Sequence, residues 1–150
     1  MKIAIGCDHG GIVLKPAIVE VLKKRGIEVE DFGCYDESSV DYPDYALKVA
    51  EAVSSGECDK GIVLCGTGIG ISIAANKVKG IRCALCSEPL SAEMTRRHND
   101  ANMLALGARV LGSELAKDIV RIWLMTAFEG ERHARRVGMI DRLDRGEALE

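Results

Sequence analysis

No apolar run in these 150 residues approaches the length that a bilayer span requires, no basic, serine-rich leader opens the chain, and no repeat or low-complexity segment interrupts it. The sequence therefore reads as a soluble cytoplasmic protein without membrane association. A strong charge of one sign is missing too, since 20 Lys and Arg stand against 23 Asp and Glu, for a formal net charge of −3. Nothing in that balance recruits nucleic acid, so an anionic substrate must be held by local positive groups. A disulfide framework is a further expected absence despite six cysteines, because a cytosolic-looking chain with 47% apolar residues has a core to build on. Cys83 and Cys86 make a C-x-x-C inside an apolar run, where residues three apart on a strand point to opposite faces; the spacing suits neither a metal nor a redox pair there. With Cys7, Cys34 and Cys58 they read as structural.

What is present is organised around the stretch from Lys60 to Asn76. The apolar run Ile62, Val63, Leu64 ends at Cys65, passes through Gly66, Gly68 and Gly70, and then takes on the small-residue character of a helix. That order predicts a strand, a glycine turn and a helix start. Such a turn lets main-chain N–H groups approach an anion at the positive end of a helix, with the Cys65 thiol at its lip. As a dinucleotide fingerprint it is incomplete: Ile71 stands where G-x-G-x-x-G has its third glycine, although Glu88 lies about 20 residues on, where that motif expects an acid. A plain structural turn remains an alternative.

Further strands are predicted at Lys2 to Cys7, Ile27 to Phe32, Ile81 to Cys86 and Met103 to Leu106. Between and after them, helical spacing runs from Ile12 to Lys24, where Val13, Leu14, Ala17, Ile18, Val21 and Leu22 are the apolar positions, and from Pro43 to Val53, Pro89 to Arg97 and Glu114 to Phe128. A charged helix from Glu131 to about Leu143 is expected outside the main core and at a subunit interface. Met94, Met103, Met125 and Trp123 fall on core patterns. The alternation predicts an α/β fold over residues 1–150, a single three-layer α/β/α Rossmann-like domain with a five-stranded parallel sheet. Ligands bind such sheets beyond the carboxyl ends of the strands, which brings Asp8 and His9, after the first strand, towards Cys65.

Asp8-His9 admits a turn-and-cap reading, but at that edge histidine can donate to a phosphate or sugar oxygen and aspartate can accept from a hydroxyl. His98 precedes the fifth strand, at the opposite edge of the sheet from Cys65. If it is catalytic, a second subunit should supply it. Arg132 and Arg136, four apart on one helix face, are spaced to converge on a phosphate or to form a solvated face; Arg109, past the fifth strand, is a third candidate.

The segments Gly6-Cys7-Asp8-His9-Gly10, Asp41-Tyr42-Pro43, Cys65 to Asn76, Cys86-Ser87-Glu88-Pro89, Arg97 to Asn102 and Glu129-Gly130-Glu131-Arg132-His133 together resemble the type B ribose-5-phosphate isomerases, over nearly the whole chain. The wider family includes allose-6-phosphate, galactose-6-phosphate and tetrulose-phosphate isomerases. The resemblance implies an aldose–ketose isomerase of the pentose phosphate pathway that uses neither metal nor cofactor. It implies Cys65 as the base, Gly66, Thr67, Gly68, Ile69 and Gly70 as the cradle of the enediolate oxygen, and Thr67 as a proton relay. It further implies that His98 opens the furanose ring with Asp8 as partner, that Asn99 binds near the reacting oxygens, and that His9, Arg109, Arg132 and Arg136 bind substrate. Homodimers with composite sites, some paired into tetramers, are implied, as is strand order 2-1-3-5-4, which the pattern of residues alone does not separate from 2-1-3-4-5. Some relatives carry serine at the Cys65 position and glutamate elsewhere as base; Ser72 here follows the turn, so the chain resembles the cysteine branch. A nucleotide-binding module and a non-catalytic sugar-phosphate-binding module are the competing readings.

Overall fold

The computed structural model describes residues 1–149. Five strands, β1 (Lys2–Cys7), β2 (Glu28–Asp31), β3 (Lys60–Cys65), β4 (Cys83–Leu85) and β5 (Met103–Gly107), alternate with helices α1 (Lys15–Lys24), α2 (Tyr42–Ser54), α3 (Ile69–Ala75), α4 (Pro89–Asn99) and α5 (Ser113–Met125), and α6 (Glu131–Asp144) follows. The strands form one parallel sheet in the order β2-β1-β3-β5-β4. Of the two orders left open by the residue pattern, this is the one the family resemblance implies.

Side chains alternate across the pleat and divide the core in two. Ile3, Ile5, Ile62, Leu64, Leu104 and Leu106 pack with α1, α5 and Ala92 of α4, while Ala4, Val63, Cys65, Met103 and Ala105 pack with α2 and α3. The result is the expected three-layer α/β/α arrangement. Because α1 and α3 cover opposite faces and lead to opposite ends of the sheet, the crossovers diverge between β1 and β3, and a crevice opens at their carboxyl ends. Cys83 and Cys86 also divide between the two faces, as their spacing requires.

Several boundaries differ from the sequence expectation for identifiable reasons. Helix α1 starts at Lys15 and not at Ile12, because Gly11 and Leu14 spend their N–H groups in turns, on the Asp8 and Gly11 carbonyls. Val13 is consequently 75% exposed rather than part of a core stripe. Helix α5 ends at Met125, which is 70% exposed and accepts a hydrogen bond from Arg25 Nη2 at 3.2 Å. Strand β4 is three residues long, at the edge of the sheet. A buried Lys15 was not anticipated either. Its Nζ donates to the Cys34 carbonyl at 2.5 Å and to Asp31 at 3.0 Å, tying α1 to the end of β2. No helix among the described residues is long and apolar enough to cross a membrane.

Candidate active site

The first group of candidates gathers at the carboxyl ends of β1, β3 and β5. Cys65, 5% exposed, ends β3, and its Sγ accepts the Gly68 N–H at 3.0 Å. That contact needs the turn to fold back tightly, and Gly68 does so at φ +77°, a conformation other L-residues adopt only under strain. A Cβ on Gly68 would come within 2.5 Å of Leu85 and 2.9 Å of the Leu106 backbone, so β5 presses the turn from below. Asp8 and His9 reach the same place by an equally close approach: a Cβ on Gly11 would lie 2.4 Å from the Leu64 carbonyl oxygen, and one on Gly10 would lie 3.1 Å from Gly66 N.

Within this group the polar atoms are mostly fixed by the main chain. Asp8, buried, accepts the Gly11 N–H on Oδ1 at 2.9 Å. His9 Nδ1 accepts the Val40 N–H at 3.2 Å, which leaves Nε2–H as the neutral ring's outward donor. Thr67, exposed, accepts the Ile69 N–H at 3.3 Å. Arg109 donates its N–H to the Gly66 carbonyl at 2.9 Å and lays its guanidinium beside Gly66. The N–H groups of Gly66 and Thr67 have no acceptor among the described residues. An anion arriving here meets unspent main-chain donors and a cation beside a thiol.

Burial raises the thiols of four other cysteines. It pushes the Cys7 and Cys83 thiols up to about 12 and those of Cys58 and Cys86 up to about 11, so all four stay protonated and unreactive near neutral pH.

The second group lies elsewhere. His98 and Asn99 end α4, Arg132 and Arg136 ride the first turns of α6, and α4 packs against α6. The His98 and His133 rings stack with centroids 4.2 Å apart and planes within 8°. Glu129 faces both, its Oε2 lying 3.8 Å from His98 Nε2 and 3.4 Å from His133 Nε2. Arg97 donates to Glu129 Oε1 at 2.6 Å, and Arg132 Nε lies 3.4 Å from His133 Nε2. Arg97 holds the Glu129 carboxyl below the usual carboxylate range, while burial, then His98 and Arg132, push His133 below the ordinary histidine value. His98, Glu129 and His133 place one ligand atom each within 4.8 Å of one another, but an ion bound by both imidazoles would have to lie in both ring planes, and stacked parallel rings share none. Sequence reasoning gave no role to Glu129 or His133. The signal was their four-residue spacing across Gly130, which brings both to one end of α6.

The two groups do not meet within one chain. Gly61, at the start of β3, donates to the Asn102 carbonyl, which puts the α4–β5 loop at the amino edge of the sheet, whereas Cys65 sits beside Gly107 at the carboxyl edge. The strand between Gly61 and Cys65 alone spans about 13 Å at ~3.3 Å per residue. A cavity of about 390 Å³ at the β4 edge includes Asn99, Arg82 and Ile140 and touches no member of the first group.

The profile of the family described as Ribose/Galactose Isomerase matches residues 3–140. Ribose-5-phosphate isomerase B of Escherichia coli (strain K12) is 56% identical over 143 residues, 95% of this chain and 96% of that protein. D-erythrulose-4-phosphate isomerase of Pectobacterium atrosepticum is 46% identical over 142 residues, 93% of each protein. The solved structure of Clostridium thermocellum ribose-5-phosphate isomerase B superposes with a TM-score of 0.96 at 63% identity, covering 97% of this chain and 99% of that one.

Proposed function

Since the chain belongs to the ribose/galactose isomerase family, we propose that it is an aldose–ketose isomerase interconverting ribose 5-phosphate and ribulose 5-phosphate through a cis-enediolate. The observation that carries this reading is the Cys65 sulfur held at 3.0 Å by the Gly68 N–H, inside a turn whose Gly66 and Thr67 N–H groups have no acceptor among the described residues. Cys65 acts as the base that removes the C2 proton of the aldose and returns it to C1. As it does so, charge builds on the substrate oxygens, and fixed backbone donors from Gly66 to Gly70 stabilise that charge more than they stabilise the ground-state carbonyl. Thr67 passes the hydroxyl proton between O1 and O2.

His98 opens the furanose ring with Asp8, Asn99 binds near the reacting oxygens, and the phosphate is held by His9 through its Nε2–H and by Arg109, Arg132 and Arg136. Because the two groups of residues are separated within one chain, the active unit is a homodimer with composite sites, which tetramers extend by pairing. Residues 1–150 form one domain, with α6 at the subunit interface. The reaction needs neither metal nor organic cofactor, and the enzyme works in the cytoplasm.

Purified protein is expected to interconvert the two pentose phosphates in the presence of EDTA. Cys65→Ala should lower kcat by about 10³-fold, within the range that a positioned base contributes. Near-normal turnover by that variant would sink the assignment of the base. A panel of allose, galactose and erythrulose phosphates measures how far the pentose is preferred.

A further inference from the structure

Glu129 has no part in the chemistry described so far, yet both its backbone and its side chain are tethered to one residue of α4. Its backbone N–H donates to the Arg97 carbonyl at 3.0 Å and its Oε1 accepts from the Arg97 guanidinium, which is itself held by Glu93 at 3.0 Å. Both tethers come from the residue preceding His98. The consequence is that Oε2 is turned to the Nε2 atoms of the two stacked imidazoles.

Two imidazoles at 4.2 Å do not both become imidazolium at little cost. Burial and Arg132 disfavour that charge on His133. His133 is 6% exposed and its Nε2 faces the Arg132 guanidinium, whereas the His98 side chain is 36% exposed. The charged groups around the pair are Glu93 and Arg97 on α4, Glu129 in the loop before α6, and Arg132 and Arg136 on α6. Glu93 is engaged by Arg97, so Glu129 is the anion that faces the imidazoles and three arginines oppose it.

We infer that Glu129 is a positioning residue for ring opening: clamped by Arg97, it fixes His98, stacked on His133, in the orientation from which His98 protonates the ring oxygen. This rests on the reading of His98 as the ring-opening group. In the step itself, Asp8 takes the proton of the O1 hydroxyl, the C1=O bond forms, the bond from C1 to the ring oxygen breaks, and that oxygen takes the proton of His98. Glu129 stays ionised throughout and touches no substrate atom. The proton is returned to His98 from Asp8 through solvent before the next turnover.

Ring opening and proton abstraction are separable from the ketose side. Ribulose 5-phosphate carries its phosphate on O5 and cannot close to a furanose, so exchange of its C1 hydrogen with deuterium from D₂O reports enediolate formation without any ring step. Glu129→Gln is expected to slow net conversion of ribose 5-phosphate at saturation at least tenfold and to leave the C1 exchange rate within twofold of wild type, which also shows that the variant is folded. Should Gln not fold, Glu129→Asp keeps the charge on a shorter arm, and the same split of smaller size is expected. Equal losses in exchange and conversion, or no loss in either, would overturn the inference. A wild-type protein that neither isomerises nor exchanges would instead overturn the functional reading beneath it.

Discussion

The two clusters of candidate residues are built by opposite means. At the carboxyl edge of the sheet, Cys65, Asp8 and His9 are placed by backbone: N–H groups from Gly68, Gly11 and Val40 reach the three side chains, and glycines allow chain segments to approach more closely than a Cβ permits. At the junction of α4 and α6, His98, His133 and Glu129 are placed by other side chains, through a ring stack and the Arg97 ion pair. The difference follows the chemistry assigned to each. A base and an oxyanion cradle must not relax as charge develops, which rigid main chain ensures. His98, Arg132 and Arg136, proposed to act on a site of a second chain, can be held by side chains near the surface, where that chain can dock.

The sharpest way to break this comparison is to separate the clusters onto different subunits. Cys65→Ala and His98→Ala homodimers should each be nearly inactive. After mixing and subunit exchange, half of the dimers are mixed and each has one intact composite site, so recovery of about a quarter of wild-type activity is expected for a closed two-fold dimer. Exchange demonstrated by mass spectrometry without recovered activity would show that each chain completes its own site.

A second test asks whether the carboxyl-edge cluster depends on backbone alone. Gly68→Ala puts a side chain at φ +77° and a Cβ 2.9 Å from the Leu106 backbone, which cannot give way as a flexible side chain would. Left-handed strain of ~1–2 kcal/mol and overpacking of ~1–3 kcal/mol together predict destabilisation of about 3 kcal/mol, read from urea unfolding. Loss of under ~0.5 kcal/mol, the scale of an ordinary surface change, would mean that the turn is not held as tightly as the geometry says.

The same division explains what the sequence made legible. Buried parallel strands are continuous apolar runs, and the glycine turn after Leu64 has a local signature, so the sheet, its layers and the Cys65 edge could be read directly. The α4–α6 cluster depends on contacts between residues far apart in the chain: Glu129 meets Arg97, and His133 stacks on His98. Nothing local to Glu129 announces that pairing. Lys15 was missed for the same reason, since its partners Asp31 and Cys34 belong to another element, and Val13 was misplaced because helical spacing does not reveal that Gly11 must first turn against β3. The family motifs supplied what periodicity could not, including the strand order at β5 and β4.

The smallest expected effect concerns pH and isolates the buried member of the helical cluster. His133 titrates below its ordinary value of 6.5, chiefly because burial disfavours the imidazolium and then because His98 and Arg132 repel it, with Glu129 opposing. Below the ordinary value the unfolded chain therefore binds a proton that the folded chain refuses, and stability falls as pH drops from there towards the folded value. His133→Asn removes that linkage while keeping a polar side chain, so the fall in urea midpoint between pH 7.5 and pH 5.5 should be shallower than in wild type. Gly68→Ala, whose cost is steric, should lower the midpoint by the same amount at both pH values. Parallel pH profiles for wild type and His133→Asn would place the proton-linked strain elsewhere in the molecule, and the contrast between a cluster held by backbone and one held by charge would lose its titratable half.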